Sequence, residues 1–257
     1  GTTIARQLDV PVTTGDAFTV SVAVQSIGAA AAEMGIPLAG ASAAVVGATG
    51  AIGRVCAELL AGQVGRLTLI GRDQAKLDEL CERLRPGASA ELRSTTRMEA
   101  LTQAELILTV TSALHDVIHP EDLRPGSVVC DVARPRDVSA MVAAARDDIL
   151  VIDGGMVDVP GPVDFHFNFG FPPGKAYACM AETMILALEG RFEDYTVGKD
   201  IRIERVNEIS ALARKHGFRL SGFRSFEREV TPEQIEIVRR NARQRRSAGP
   251  GPAAGGA

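Results

Sequence analysis

The sequence contains no tryptophan and only two tyrosines. Peptide-recognition surfaces and base-stacking platforms draw heavily on those side chains, so a dedicated module of either kind is disfavoured. Positive charge is not in excess either: 28 Lys and Arg stand against 32 Asp and Glu, a formal net charge of -4. Without a cationic field to gather phosphates, nucleic acid is not an expected partner. No run approaches the roughly 20 consecutive apolar residues of a membrane-spanning helix, so helical channels and transporters are excluded. Cys56, Cys81, Cys130 and Cys179 stand too far apart for a zinc knuckle or a Cys-x-x-Cys pair. With no basic-then-apolar leader in residues 1–14, the expected compartment is the reducing cytoplasm. The chain does not begin with Met, so it reads as processed, trimmed or cut from something longer.

What is present is a chain of 257 residues, 46% hydrophobic and 23% charged, enough for one or two globular domains. Residues 16–34 are dense in Ala, Val and Ile and predict a largely buried helix. Short apolar strands at 43–46, 67–70, 106–110, 127–130 and 149–152, with a weaker one at 90–93, alternate with helical patterns at 51–61, 74–84 and 99–104. Strands written as continuous apolar runs between helices predict a parallel sheet covered on both faces. Further on, 175–188 and 202–216 read as helices. Thr231-Pro232-Glu233-Gln234 has the form of a capping box with Pro at the first helical position. The expected class is α/β: a doubly wound parallel, Rossmann-like sheet flanked by a helical element from both chain ends. Residues 1–39 are an N-terminal segment with the buried helix, and 40–155 the dinucleotide-binding domain. Residues 156–246 are a C-terminal helical segment completing a catalytic cleft, and 247–257 a disordered Gly, Ala and Pro tail.

Gly47-Ala48-Thr49-Gly50-Ala51-Ile52-Gly53 follows a strand directly and opens a helix, the context that gives a glycine-rich fingerprint meaning. Gly47 permits the sharp turn, Gly50 lets backbone approach a pyrophosphate, and Gly53 allows close helix packing; the helix N-terminus offers free N–H groups to the anion. The second strand ends in Ile70-Gly71-Arg72-Asp73. Arg72 suits the 2′-phosphate of NADPH, while Asp73 either accepts the 2′-hydroxyl of NAD or caps the next helix. Thr111 and Ser112 lie where the crevice passes the nicotinamide half, or are ordinary loop residues. Gly154 and Gly155 permit close approach either to cofactor or between chain segments.

Cys179 is the thiol set apart by its context. Pro172-Pro173-Gly174 ahead of its helix puts it near the N-terminus, where helix polarity favours a thiolate, with Lys175 four residues back. The alternative is a small core residue among alanines. His166, in the loop leading to Cys179, is a candidate proton donor or a turn residue. Cys130 is a second, weaker thiol candidate. His115 and His119 have helical spacing, but Pro120 follows and no third ligand is evident, so no metal is expected. Arg239, Arg240, Arg243, Arg245 and Arg246 are either a patch for an acidic partner or a solvated helix end.

An ordered set of segments resembles the long-chain fatty acyl-acyl carrier protein reductase family of cyanobacteria over residues 10–220. These are Thr13-Thr14-Gly15-Asp16, Val45 to Gly53, Ile152-Asp153-Gly154-Gly155, Ala176-Tyr177-Ala178-Cys179-Met180-Ala181-Glu182 and Lys215-His216-Gly217-Phe218. The resemblance implies that Cys179 takes an acyl group from a thioester, on acyl carrier protein or CoA, and that NADPH delivers hydride to release an aldehyde. It also implies that Glu182 helps orient the site. The chain departs from the family pattern at 156–174 and 196–203, and it lacks the family's additional N-terminal region. Two other readings stay open: an NADP-dependent dehydrogenase of a small alcohol or keto acid without a covalent step, and a non-catalytic nucleotide-binding protein. Oligomeric state is not legible.

Overall fold

The computed structural model describes residues 1–248. A short helix α1 (Thr2–Ala5) precedes the long helix α2 (Asp16–Glu33). The alternating region then builds β1 (Ser42–Val46), α3 (Ala51–Ala61), β2 (Arg66–Ile70), α4 (Gln74–Leu84), β3 (Glu91–Thr95), β4 (Leu106–Thr109) and β5 (Val128–Asp131). It ends with α5 (Ala140–Ala145) and β6 (Leu150–Asp153). These strands form a six-stranded sheet in the order β3-β2-β1-β4-β5-β6, every pair parallel. The expected doubly wound, Rossmann-like α/β fold is therefore present, with its reversal of strand order between β1 and β4.

Strand pleating explains the unbroken apolar runs. In β1, Ala43 and Val45 enter one core while Ala44 and Val46 enter the other; Leu106 and Leu108 oppose Ile107 in the same way along β4. The larger core is roofed by α2, α3, α4 and the C-terminal helices; the smaller lies under α5 and 3-10 turns. The helix expected over 99–104 is a 3-10 segment, Met98–Gln103, with only Leu101 buried, too small an apolar face to support a regular α-helix.

Beyond the sheet lie α6 (Ala178–Leu188), α7 (Ile203–Lys215) and α8 (Pro232–Ser247). Helix α2 packs on α3, α6 and α7, so both chain ends do meet on one flank of the sheet. The capping box is formed: the Thr231 hydroxyl accepts from the Gln234 amide, and the Gln234 carbonyl oxygen from the Thr231 amide. The C-terminal part is not wholly helical. β7 (Met156–Asp158) pairs antiparallel with β8 (Lys175–Tyr177) and β9 (Arg219–Leu220), and β10 (Arg224–Ser225) with β11 (Arg228–Glu229). Three-residue strands carry too little periodicity to be seen in sequence. The expected tail lies, from 249 onward, outside the described residues.

Candidate active site

The glycine-rich turn sits on the carboxyl edge of the sheet. The amides of Gly47 and Ala48 both donate to the Ile70 carbonyl at the end of β2, so the turn is held against the segment that carries Arg72. Gly47 has φ 81°, and a Cβ there would lie 2.6 Å from the Val110 carbonyl oxygen beyond β4; a Cβ at Gly53 would overlap the Gly47 carbonyl. Both positions therefore require glycine for turn and packing reasons. Ala48 is buried, Thr49 and Gly50 are exposed at the tip, and Ala51 and Ile52 are half-buried. Gly50 is the N-cap of α3 and no side chain caps that terminus, leaving first-turn N–H groups for an anion. Arg72 is exposed and has no hydrogen bond or ion pair among the described residues, whereas Asp73 caps α4 through the Lys76 amide. These residues fit a dinucleotide with a phosphate near Arg72.

Cys179 is the exposed cysteine; Cys56, Cys81 and Cys130 are buried. It is the second residue of α6, closer to the helix start than expected, and it stands where α6 meets the start of α2. Gly15, the left-handed N-cap of α2 with φ 76°, lies so close that a Cβ on it would overlap the Cys179 backbone and Cβ. The helix start is fixed from the sheet as well, since the Ala178 amide donates to the Gly155 carbonyl at 2.7 Å. Two helix N-termini thus converge at the thiol. The local field nevertheless does not make it a thiolate: partial burial pushes the Cys179 thiol up, as do Asp16 and Glu182, against the Met180 amide and its own. The expectation of a lowered pKa is corrected on that ground.

Lys175 is also corrected. Residues 175–177 pair with β7 instead of continuing α6 backwards, so Lys175 is not on the helix face of Cys179. Its ammonium is held by Asp158 at 2.7 Å and the Ser221 hydroxyl at 2.8 Å. His166 occupies an exposed turn with φ 50°, its ring beside Asp164 at 3.3 Å, and no contact joins it to Cys179. The Thr111 hydroxyl and amide both donate to buried Asp137, which also accepts from the Thr109 hydroxyl; Ser112 is exposed and makes no hydrogen bond among the described residues. Gly154 serves close packing of chain segments: a Cβ there would meet Val132 at 2.7 Å and the Cys130 sulfur at 2.9 Å. Cys130 itself is fully buried, and burial pushes its thiol far up. Of the α8 arginines, Arg239 pairs with Glu236 on its own helix, Arg245 with Asp147 and Asp148, and Arg246 donates to the Pro125 carbonyl, while Arg240 and Arg243 are exposed. His119 caps the turn Pro120–Asp122.

Three groups gather around the thiol. Glu182, fully buried one turn beyond Cys179, reaches across to α2: one oxygen accepts from the Thr13 and Thr196 hydroxyls, the other from the Phe18 amide at 2.7 Å. It caps the α2 N-terminus from another helix. Burial pushes its pKa up, opposed by those three donors and reinforced by Asp16. Asp16 is half-buried, accepts from the Thr14 hydroxyl at 2.9 Å, and burial likewise raises its pKa. On the far side of Glu182, residues 196–201 run back to the Rossmann half, where Arg54 of α3 donates to the carbonyls of Lys199 and Ile201. The Thr13-Thr14-Gly15-Asp16 run, Glu182 and the segment 196–203 are each marked in the sequence, but their contact with one another is not.

Residues 29–153 match the family described as Shikimate / quinate 5-dehydrogenase. Among curated proteins, the chain is 33% identical over 245 residues to the aminotransferase PigE of a Serratia species, covering 93% of this chain and 28% of that protein. It is 34% identical over 214 residues to the long-chain acyl-[acyl-carrier-protein] reductase of Synechococcus elongatus, covering 80% of this chain and 61% of the relative. A shorter match, 32% over 81 residues, is to the glutamyl-tRNA reductase of Caldicellulosiruptor saccharolyticus, covering 31% of this chain and 20% of that protein. The chain spans less than two thirds of the length of each of these relatives. The protein thus has a Rossmann-like sheet whose residues 29–153 are similar to the shikimate / quinate 5-dehydrogenase family, and over longer or shorter stretches it is similar to an aminotransferase and to reductases of more than one kind. No helix among the described residues is long and apolar enough to cross a membrane.

Proposed function

We propose that this protein reduces an acyl thioester, on acyl carrier protein or CoA, to an aldehyde, with Cys179 as the acyl acceptor and NADPH as reductant. The observation that carries the reading is the exposed thiol at the meeting point of two helix N-termini, on a helix anchored to the carboxyl edge of a nucleotide-type sheet. The likeness to the Synechococcus elongatus reductase supports it.

The Cys179 sulfur attacks the thioester carbonyl carbon, forming a new carbon–sulfur bond while the bond to the carrier sulfur breaks. The thiol proton must leave on attack and reach the departing carrier thiolate. Asp16, next in the chain to the Gly15 that packs against Cys179, is a carboxylate that would accept and pass on that proton. The first-turn amides of α6 favour the negative charge developing on the carbonyl oxygen. When bound, NADPH supplies the hydride that the acyl carbon needs to reach the aldehyde level. Cys179 then leaves as thiolate and recovers one proton, so each turnover consumes one thioester, one NADPH and one proton and yields aldehyde, carrier thiol and NADP+. Thr13, Thr196 and Glu182 hold the two helices in register throughout. Thr49, Gly50 and Arg72 would hold the cofactor phosphates.

The test is NADPH oxidation by the purified chain offered a long-chain acyl thioester, with Cys179→Ala as the matched control. Thioester-dependent oxidation that vanishes in the variant is the expected result. Turnover of a small alcohol or keto acid, insensitive to that substitution, would refute the covalent reading. It would instead favour the dehydrogenase reading that the match over 29–153 supports.

A further inference from the structure

Four of the nine phenylalanines fall within seven residues, as Phe165, Phe167, Phe169 and Phe171. They belong to a closed loop between β7 and β8 whose ends are tied by the Val159 amide donating to the Gly174 carbonyl at 2.8 Å. None of the four lies in either hydrophobic core or packs against one. They pack on one another instead: Phe165 on Phe169 at 5.9 Å between ring centroids, Phe167 on Phe169 at 4.7 Å, and Phe169 stacked on Phe171 at 5.6 Å. The array stays open to solvent, with Phe167 70% exposed and Phe169 40%. A cluster of large rings that neither fills a core nor is covered is a binding surface waiting for an apolar occupant.

Continuity with the thiol indicates what that occupant is. The Phe171 ring meets Tyr177 edge-on at 5.1 Å, and Tyr177 is the N-cap of α6, two residues before Cys179. A chain of ring contacts therefore runs from the exposed tip to Tyr177, the residue that caps the helix carrying Cys179. From Phe165 to Pro173 the loop carries no Lys, Arg, Asp or Glu, so it offers nothing to a phosphate or an acidic carrier surface. We propose that this phenylalanine loop binds the aliphatic chain of the acyl thioester and sets a preference for longer chains. The proposal rests on the reading of Cys179 as acyl acceptor.

The test measures acylation of Cys179 by intact mass in the full chain without added cofactor, comparing octanoyl-CoA with acetyl-CoA, in the natural sequence and in Phe167→Ser/Phe169→Ser. The natural chain should favour octanoyl, and the variant should lose about tenfold of that preference, the effect of roughly two methylenes leaving an apolar contact. An unchanged preference in the variant, or no preference in the natural chain, would overturn the proposal. No acylation of Cys179 by either thioester would overturn the acyl-acceptor reading itself and the proposal with it. Loss of self-association in the variant with its octanoyl preference intact would assign the rings to a second copy of the chain, and so also refute acyl binding. Because the rings lie outside both cores, the melting temperature of the variant should match the natural protein and separates these outcomes from misfolding.

Discussion

Adding a single methyl group at Gly15 should damage the site far more than its size suggests. Gly15 holds a left-handed conformation, φ 76°, which costs an L-residue about 1–2 kcal/mol. Its new Cβ would also occupy the space of the Cys179 backbone, so α2 and α6 must move apart, an overpacking cost of roughly 1–3 kcal/mol. Gly15→Ala should therefore lose about 2–5 kcal/mol, which for a chain of this size lowers the melting temperature by roughly 5–15 °C. Gly28→Ala is the internal control on the same helix. Its Cβ would meet only the Leu38 Cδ1 at ordinary contact distance, 3.8 Å, and helix propensity should stabilise it by up to about 1 kcal/mol. Melting curves and the rate of Cys179 alkylation by iodoacetamide read the two effects, since the other cysteines are buried. Equal melting shifts in the two variants, or an unchanged alkylation rate in Gly15→Ala, would refute the described packing of α2 against the thiol.

Glu182→Ala should destabilise by roughly 2–4 kcal/mol, because the Phe18 amide and two threonine hydroxyls lose a shared acceptor. Glu182→Gln, which keeps the volume, should lose less by urea denaturation; the reverse order would sink the capping role. Buried Asp131, pushed up to about 6 mainly by burial, binds its proton more tightly folded than unfolded, where its value is near 3.8. Its contribution to stability therefore rises as pH falls through 6, by roughly 1 kcal/mol between pH 7 and pH 5. The urea-midpoint difference between natural protein and Asp131→Asn should shift by that amount in that direction across the interval, and no shift would refute it. Arg72→Ala should weaken NADPH binding about tenfold while leaving NADH nearly unchanged in fluorescence titrations. Equal losses for the two cofactors would remove Arg72 from the 2′-phosphate.

The candidate thiol was legible in the sequence, but the way its neighbours surround it was not. Cys179 stood out because a helix start is a local property, written in a few consecutive residues. Lys175 was misread for the same reason: Pro172-Pro173-Gly174 looks like a helix entrance until β7, seventeen or more residues earlier in the chain, claims 175–177 as a strand. The raised pKa of the thiol depends first on how much protein surrounds the sulfur and then on Asp16, and neither is encoded near residue 179.

The six-stranded sheet, its glycine-rich turn and most helix limits were determined by the sequence alone, because pleat alternation, helical periodicity and the steric demands of Gly47 and Gly53 act over short spans. Tertiary structure decided the rest. It brought Gly15 against Cys179, joined Glu182 to Thr13, Phe18 and Thr196, tied Thr111 to Asp137, and left the four rings of 165–171 outside both cores. Each of these depends on groups far apart in the chain occupying one place, and only packing of the whole fold fixes such a coincidence.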